Sequence, residues 1–190
     1  QIDILKEAGI NDIIIVTGYK KELFEKFKSE NISIVYNPFY KKTNVLGSFW
    51  FAKEYINEPF VFIHADTFFE PKILKKILSL GNNLAVEFKD CNEEEMKVKV
   101  EGEKIKSISK ELTDSDGEFI GIAKFDDYKS IKKVVEDLIE EHSNSFFEKV
   151  IAKLINDGKE FKAVNIGNAI WEEIDFKEDY ENLKKRVNLG

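Results

Sequence analysis

The chain has 190 residues, of which 43% are hydrophobic, and this length and composition fit one folded domain with its own core. Its formal net charge of −7 argues against non-specific binding to nucleic acid. A single cysteine, Cys91, excludes a disulfide framework and a cysteine-based zinc site. No apolar run reaches membrane-spanning length and no signal peptide stands out, so we expect a cytoplasmic protein that does not bind a membrane.

Strands and helices alternate in the first half of the chain. The predicted strands cover 13–16, 32–36 and 60–63, and the predicted helices cover 2–9, 20–28, 44–55 and 71–80. Such alternation is typical of a parallel sheet with helices on both faces. We therefore predict an α/β fold with a Rossmann-like, mostly parallel sheet flanked by helices.

The pattern changes after residue 83, where strands follow one another without helices between them. Predicted strands cover 84–88, 96–100, 105–108 and 119–125, and Gly102 with Glu103 favours a hairpin between two of them. We expect this β-rich part, about 84–125, to form one wall of a substrate pocket within a single domain spanning 1–190. Two helices (128–141 and 145–156), a strand (162–166), an acidic segment (171–175) and a closing helix (177–187) complete the prediction.

The opening helix leads directly into a parallel-type strand, although a crossover helix needs a strand before it. In a dinucleotide-type sheet the absent strand would be the central one, and the strands at 13–16 and 60–63 would flank a gap. We expect a strand and loop of roughly 20 to 30 residues before Gln1. The alternative is that the opening helix packs at an edge of the sheet.

Asp66 is the leading candidate for chemistry because it follows closely on the apolar run 60–63. In open α/β sheets, ligands bind beyond the carboxyl ends of the strands. A carboxylate at that edge suits Mg²⁺, which prefers oxygen ligands. The alternative is that Asp66 caps the next helix or opens the turn at Thr67. The two histidines, His64 and His142, lie far apart in sequence and predict no ligand pair.

Five segments occur in an order that is typical of one enzyme family. They are 5–19, Asn37-Pro38-Phe39-Tyr40 with Thr43-Asn44 and Ser48, Ile63-His64-Ala65-Asp66, 107–110 with 117–122, and Trp171-Glu172-Glu173-Ile174-Asp175. Together they resemble the nucleotidyltransferases that activate small phosphorylated metabolites, in particular the phosphocholine cytidylyltransferase branch. Ala65 departs from the family pattern, which has glycine there.

The glycine-rich loop that grips the triphosphate in that family is not found in this sequence. It would lie before Gln1, where the topology also calls for a strand. We then expect the 190 residues on their own to lack the loop that binds the triphosphate and to be inactive.

The resemblance implies that a phosphate monoester attacks the α-phosphate of CTP and releases pyrophosphate. It implies that Asp66 and Asp175 hold Mg²⁺ and that Lys110 neutralises phosphate. Capping of the last helix is the alternative for Asp175, and an ordinary surface position is the alternative for Lys110. Phosphocholine is the expected acceptor, with aminoethylphosphonate or a sugar phosphate as alternatives, and cell-surface polysaccharide biosynthesis the implied context.

The resemblance implies a nucleotide-binding role for Asn44, Gly47 and Ser48. Asn44 and Ser48 lie one helical turn apart, so both side chains could face the same base. The alternative is that Asn44 caps the helix and that Ser48 is merely exposed.

The resemblance also implies an acceptor pocket. Its expected residues are Tyr40, Glu118, Gly121, Trp171 and Glu173. Glu118 suits a cationic head group and Gly121 allows close approach. A quaternary ammonium calls for aromatic faces, for which Tyr40, Trp171 and Trp50 are candidates, although helical spacing favours a core position for Trp50.

Two other classes of protein stay open. A glycosyltransferase with a nucleotide-sugar fold would carry Asp-x-Asp at the strand tip, whereas this chain has His64-Ala65-Asp66. A non-catalytic binding or regulatory subunit is favoured by the missing loop and disfavoured by the retained acids Asp66 and Asp175.

Overall fold

Ten strands and six α-helices make up residues 1–187, the part of the chain that this computed structural model describes. The helices are α1 (Ile2–Glu7), α2 (Val45–Ala52), α3 (Pro71–Leu78), α4 (Tyr128–His142), α5 (Glu148–Asn156) and α6 (Lys177–Val187). The strands are β1 (Ile13–Thr17), β2 (Ile32–Tyr36), β3 (Phe60–Ile63), β4 (Thr67–Phe69), β5 (Asn83–Glu87), β6 (Lys97–Glu101), β7 (Lys104–Ile108), β8 (Gly117–Phe125), β9 (Lys162–Asn165) and β10 (Trp171–Glu173). None of the helices within 1–187 is long and apolar enough to cross a membrane.

The strands form a six-stranded sheet and two two-stranded sheets. The large sheet has the order β3-β8-β5-β9-β7-β6, while β1 pairs with β2 and β4 pairs with β10. The α/β class is confirmed, but the pairing differs from the mostly parallel sheet that the sequence predicted. Parallel pairs are β1–β2 and β5–β9, whereas β3, β5 and β6 all run antiparallel to β8. β3 and β5 run in the same direction, as the crossover through α3 requires, and the sheet is mixed because β8 is inserted antiparallel between them.

Helices cover both faces of the large sheet, as predicted. On β5, Leu84 and Val86 point into a core shared with α2, α4 and α5, while Ala85 points into a second core with α3. This alternation follows from the two-residue period of a strand. Phe147, at the start of α5, stacks on Phe62 of β3 at 4.5 Å between ring centroids. The strand that leads to Asp66 is therefore held from the side of α5.

The helix predicted at 20–28 is wrong. Two short 3₁₀ turns, Lys21–Leu23 and Glu25–Phe27, occupy this segment. Leu23, Phe24 and Phe27 were expected to face a core, yet they are 58%, 36% and 39% exposed. A short helix gains most of its stability from burying an apolar face, and here that face stays substantially exposed.

The β-rich part is confirmed as strands β5 to β8. The predicted hairpin joins β6 to β7, and Gly102 turns it with a φ of +63°. Strand β4 was not predicted, because three residues are too few to show a period. Its pairing with β10 is a tertiary contact that local sequence does not show.

The strands expected to flank a gap lie in different sheets. β1 pairs with β2, and β3 pairs with β8 at one edge of the large sheet. The element expected between them stays a prediction.

Candidate active site

Asp66 lies in the short turn between β3 and β4, beyond the carboxyl end of β3. The antiparallel pairing of β4 with β10 places Glu173 opposite Thr67. The N–H of Ile174 donates to the carbonyl oxygen of Asp66 at 2.9 Å. These backbone bonds hold the acidic segment 173–175 beside Asp66.

Three side chains converge at this edge. His64, Asp66 and Glu173 each offer one donor atom, and these atoms all lie within 4.8 Å of one another. The carboxylates of Asp66 and Glu173 supply the oxygen ligands that Mg²⁺ prefers, and the imidazole adds a nitrogen. Partial burial raises the pKa of Glu173, and the nearby charges of Asp66 and Asp175 raise it further. Such like-charge crowding is relieved by a bound cation, so this donor set fits a divalent metal.

Asp175 is close to this cluster but is not one of its three converging donors. Its backbone N–H donates to the carboxylate of Asp179 at 3.1 Å, as does the N–H of Phe176 at 2.7 Å. Asp179 therefore accepts the amides of the two residues that precede α6, and no hydrogen bond to the exposed carboxylate of Asp175 contributes to this cap within 1–187. That Asp66 and Asp175 hold one metal stays a prediction.

A cavity of about 80 Å³ opens next to the cluster, and we call it the acceptor cavity. The five predicted residues among those that line it are Lys110, Glu118, Gly121, Trp171 and Glu173. Residues of the wall that the sequence analysis did not name include Glu148, Phe119 and Phe146. The structure thus brings together residues that are widely separated in the chain, through β8, β10 and the start of α5.

Glu118 reaches the acceptor cavity from β8 with its carboxylate paired to a lysine. The Lys89 ammonium lies 2.7 Å from Glu118, 3.0 Å from Glu95 and 3.2 Å from Glu87. Burial raises the pKa of Glu118, and the lysine counteracts this only in part. Burial also lowers the pKa of Lys89, but its bonds to the carboxylates outweigh that effect and raise the pKa above its usual range. The negative charge of Glu118 is therefore partly compensated within the protein.

Lys110 follows β7 at the mouth of the acceptor cavity. Its ammonium lies 5.1 Å from the centroid of the Phe146 ring and 3.8 Å from a carboxylate oxygen of the exposed Glu94. An ion pair at that distance with an exposed partner is weak. The Lys110 ammonium can therefore turn to a phosphate in the cavity.

Gly121 has a φ of +75° and packs directly against His64. A Cβ at this position would lie 2.6 Å from His64 Nδ1. The carbonyl oxygen of Gly121 also accepts the His64 backbone N–H at 2.9 Å. Gly121 thus fixes the imidazole in the cavity wall, and no residue with a side chain would fit there without displacing the ring.

Sequence reasoning missed His64 and Glu148 as members of this wall. The position of His64 in the strand-tip triplet with Asp66 was the available signal. For Glu148 the signal is weaker. It is buried on the face of α5 that carries Ile151, where an apolar residue is the norm.

The predicted nucleotide-binding residues lie around the start of α2. The side chain of Asn44 accepts the N–H of Val45 at 2.8 Å, so Asn44 caps the helix. The buried Asn37 amide donates to Thr43 Oγ1 at 2.9 Å and to Ser48 Oγ at 3.2 Å. Ser48 is half-buried, whereas the alternative to a binding role expected it to be exposed. Their role in nucleotide binding stays a prediction.

Gly47 and Tyr40 make close packing contacts in the same region. A Cβ on Gly47 would lie 2.5 Å from Thr43 Cβ and 2.6 Å from the Ser143 carbonyl oxygen. Tyr40 packs on Gly18, whose added Cβ would lie 2.5 Å from Tyr40 Cβ. Tyr40 was predicted for the acceptor pocket, but it is not among the residues that line the acceptor cavity in 1–187. The half-buried Trp50 lies in α2, with the Lys53 ammonium 4.2 Å from its ring centroid.

Comparison with known proteins yields no matching family model. Among curated proteins, the chain is 30% identical over 192 residues to the choline-phosphate cytidylyltransferase of Streptococcus pneumoniae (strain ATCC BAA-255 / R6), covering 97% of this chain and 82% of that protein. The chain belongs to the nucleotidyltransferases, in their cytidylyltransferase-like branch. This nucleotidyltransferase is also 27% identical over 221 residues to the CTP:phosphoglutamine cytidylyltransferase of Campylobacter jejuni, covering 95% of this chain and 84% of that protein.

Solved structures show that the fold is that of nucleotidyltransferases. The inositol-1-phosphate CTP transferase of T. maritima matches with a TM-score of 0.81 and 22% identity, covering 98% of this chain and 81% of that one. The CTP:phosphocholine cytidylyltransferase of Streptococcus pneumoniae matches with a TM-score of 0.75 and 24% identity, covering 98% and 83%. The names of these relatives specify different acceptors. Membership of the family therefore does not identify the acceptor of this nucleotidyltransferase.

Proposed function

We propose that this protein transfers CMP from CTP to a small phosphorylated acceptor, such as phosphocholine or a related phosphorylated amine, and releases pyrophosphate. One observation carries the proposal. The convergence of His64, Asp66 and Glu173 borders a cavity that also contains a lysine, acids and aromatic rings. A metal-dependent phosphoryl-type transfer needs metal-binding acids and a cationic side chain side by side, because its catalysis is mainly positioning and charge neutralisation.

Each group has a role in this proposal. Asp66 and Glu173 would hold Mg²⁺, Asp175 would add negative charge beside them, and the His64 imidazole lies next to this pair without being needed as a ligand. When bound, the metal would polarise the α-phosphate and offset the charge that develops in the transition state. Lys110 would orient and partly neutralise the acceptor phosphate from the cavity mouth.

The acceptor's other end would meet the inner wall of the cavity. Trp171, Phe119 and Phe146 present aromatic surface there. Aromatic faces attract cations, and carboxylates in the same wall add to that attraction. A phosphorylated compound with a cationic end therefore fits both sides of the cavity.

The test is pyrophosphate release from CTP by the full-length natural protein, with Mg²⁺ and a panel of phosphorylated acceptors. We expect release that depends on an acceptor and falls at least about 1,000-fold in Asp66→Asn. Asp12→Asn is the matched control, because Asp12 is an exposed acid in the loop before β1.

Two results would contradict the proposal. Release unaffected by Asp66→Asn would remove the metal role of the strand-tip acid. Absence of release with every acceptor and nucleoside triphosphate would favour the non-catalytic subunit instead. The cytoplasmic location and the link to cell-surface polysaccharide biosynthesis stay predictions.

A further inference from the structure

Glu148 places a buried carboxylate in the wall of the acceptor cavity. The residue is 4% exposed, and its Oε2 has no hydrogen-bond partner within 1–187. The nearest basic group is His64, whose Nε2 lies 3.6 Å from Glu148 Oε1, beyond normal hydrogen-bond length. Burial raises the pKa of Glu148, and the charges of His64 and Lys110 oppose that rise. A buried polar atom without a partner destabilises the fold. We therefore expect this carboxylate to have a functional role that offsets its cost in stability.

His64 places a second polar atom beside the first. Its imidazole is held edge-on to Phe62 at 5.3 Å and to Phe119 at 6.2 Å between ring centroids. Gly121 packs against the Nδ1 side of the ring. The Nε2 atom is buried and, among the described residues, is not hydrogen-bonded. Two adjacent buried polar atoms thus have no hydrogen-bond partner within 1–187, and both residues line the cavity.

We propose that His64 and Glu148 together bind a hydrogen-bond-donating end of the acceptor, and so select acceptors with N–H groups over quaternary ammonium compounds. This inference rests on the proposed function and specifies how the acceptor cavity chooses its substrate.

The charge distribution in the cavity favours Glu148 over Glu118 for this role. Glu118 Oε2 also has no hydrogen-bond partner of good geometry within 1–187, but the Lys89 ammonium lies 2.7 Å away and compensates part of its charge. Glu148 makes no contact with a lysine or arginine within 4.0 Å in the described chain. A cation that enters the cavity is therefore stabilised more beside Glu148 than beside Glu118.

Hydrogen-bonding capacity then separates the possible cations. A primary ammonium offers three N–H donors, and a trimethylammonium offers none. With the trimethyl compound, Glu148 Oε2 would stay unpaired after binding has closed the cavity. Sites that hydrogen-bond a substrate group discriminate strongly against analogues without that group.

The experiment measures binding of a phosphoethanolamine series by calorimetry, with no, one, two or three N-methyl groups. The charge stays constant along this series while the number of N–H donors falls to zero. We expect affinity to fall with each methyl group, and the fully methylated member to bind at least about tenfold more weakly than the unmethylated one.

The variant Glu148→Gln keeps the size of the side chain and removes its charge. We expect it to reduce the preference for the unmethylated compound to less than about threefold, because the charge-assisted hydrogen bond is lost. Glu178→Gln is the matched control, since Glu178 is an exposed glutamate in the first turn of α6, as Glu148 is a buried one in the first turn of α5. Ethyl phosphate, which lacks the amine, is expected to bind equally to all three proteins and verifies that Glu148→Gln is folded.

Several results would overturn the inference. They are equal affinity along the series, a preference for the trimethyl compound, no binding of any member, or an unchanged preference in Glu148→Gln. The last result would also be seen if the two atoms served only to hold a structural water. Pyrophosphate release tests the proposed function separately, because release with phosphocholine and a flat binding series would uphold the function and reject this selectivity.

Discussion

The acceptor cavity and the turn around the start of α2 use polar residues in opposite ways. In the turn, which we define as residues 37–48, Asn37 bonds both Thr43 and Ser48, and Asn44 caps the helix. In the acceptor cavity, Glu148 Oε2 and His64 Nε2 are buried without hydrogen-bond partners in residues 1–187. The polar side chains of the turn are thus hydrogen-bonded within the fold, whereas these two atoms of the cavity are not.

This difference changes how the resemblance to a family should be interpreted. The same family pattern singled out residues in both regions, and both regions border open space, because Thr43 and Gly47 line a second cavity of about 350 Å³. The two regions differ in whether their polar side chains are already paired. Paired polar groups stabilise a structure, whereas unpaired buried groups destabilise it unless something binds them. Substitutions in the two regions should therefore have different effects.

The largest effect on stability is expected for Gly121→Ala in the acceptor cavity. The new Cβ would lie 2.6 Å from His64 Nδ1, and the backbone has a φ of +75°. We expect the free energy of unfolding to fall by about 3 kcal/mol, measured by urea denaturation, because strain and displacement of the ring add together. Gly102→Ala shares the positive φ but meets no atom within 4 Å, so a loss of about 1 kcal/mol is expected there. Equal losses in the two variants would show that His64 is not held tightly.

A smaller loss is expected for Asn37→Ala in the turn. This residue is 1% exposed, and its side chain also accepts the Phe39 N–H at 2.8 Å. Removing it leaves buried groups unpaired, so we expect a loss of about 2 kcal/mol in thermal or urea unfolding. Asn11→Ala is the control, because Asn11 is exposed and makes a single long bond of 3.4 Å. Unchanged stability with weakened CTP binding would instead assign the turn to the nucleotide site.

The smallest effect is a pH dependence at Glu118. Because burial raises the pKa of Glu118, the folded state holds this proton at a pH where the unfolded state has released it. Stability from this group is therefore lost as pH rises through that window. Glu118→Gln removes the titrating group, so the variant should lose less stability than the natural protein as pH rises through the range in which an ordinary glutamate ionises.

Urea unfolding at several pH values measures the effect, and Glu30→Gln, at an exposed position, is the control. A pH dependence that is the same in Glu118→Gln and in the natural protein would show that Lys89 fully compensates the buried carboxylate. The cavity would then impose no electrostatic cost on folding at Glu118.

Local sequence was sufficient to predict most helices and strands, because the hydrophobic periods that define them extend over only a few residues. The apolar runs at 13–16, 32–36 and 60–63 became β1, β2 and β3, and the hairpin at Gly102 formed as predicted. The helix predicted at 20–28 failed although its pattern was correct, because an amphipathic pattern requires a surface to pack on.

By itself, the sequence determined the α/β class, the order of most elements and the position of Asp66 beyond the end of β3. Only the tertiary structure decided which acids meet there. The β4–β10 pairing brings Glu173 to Asp66, and the packing of Phe147 on Phe62 brings α5, with Glu148, to His64. These contacts join residues far apart in the chain. A hydrophobic pattern specifies which face of an element is buried but not what that face packs against, so local periodicity could not predict them.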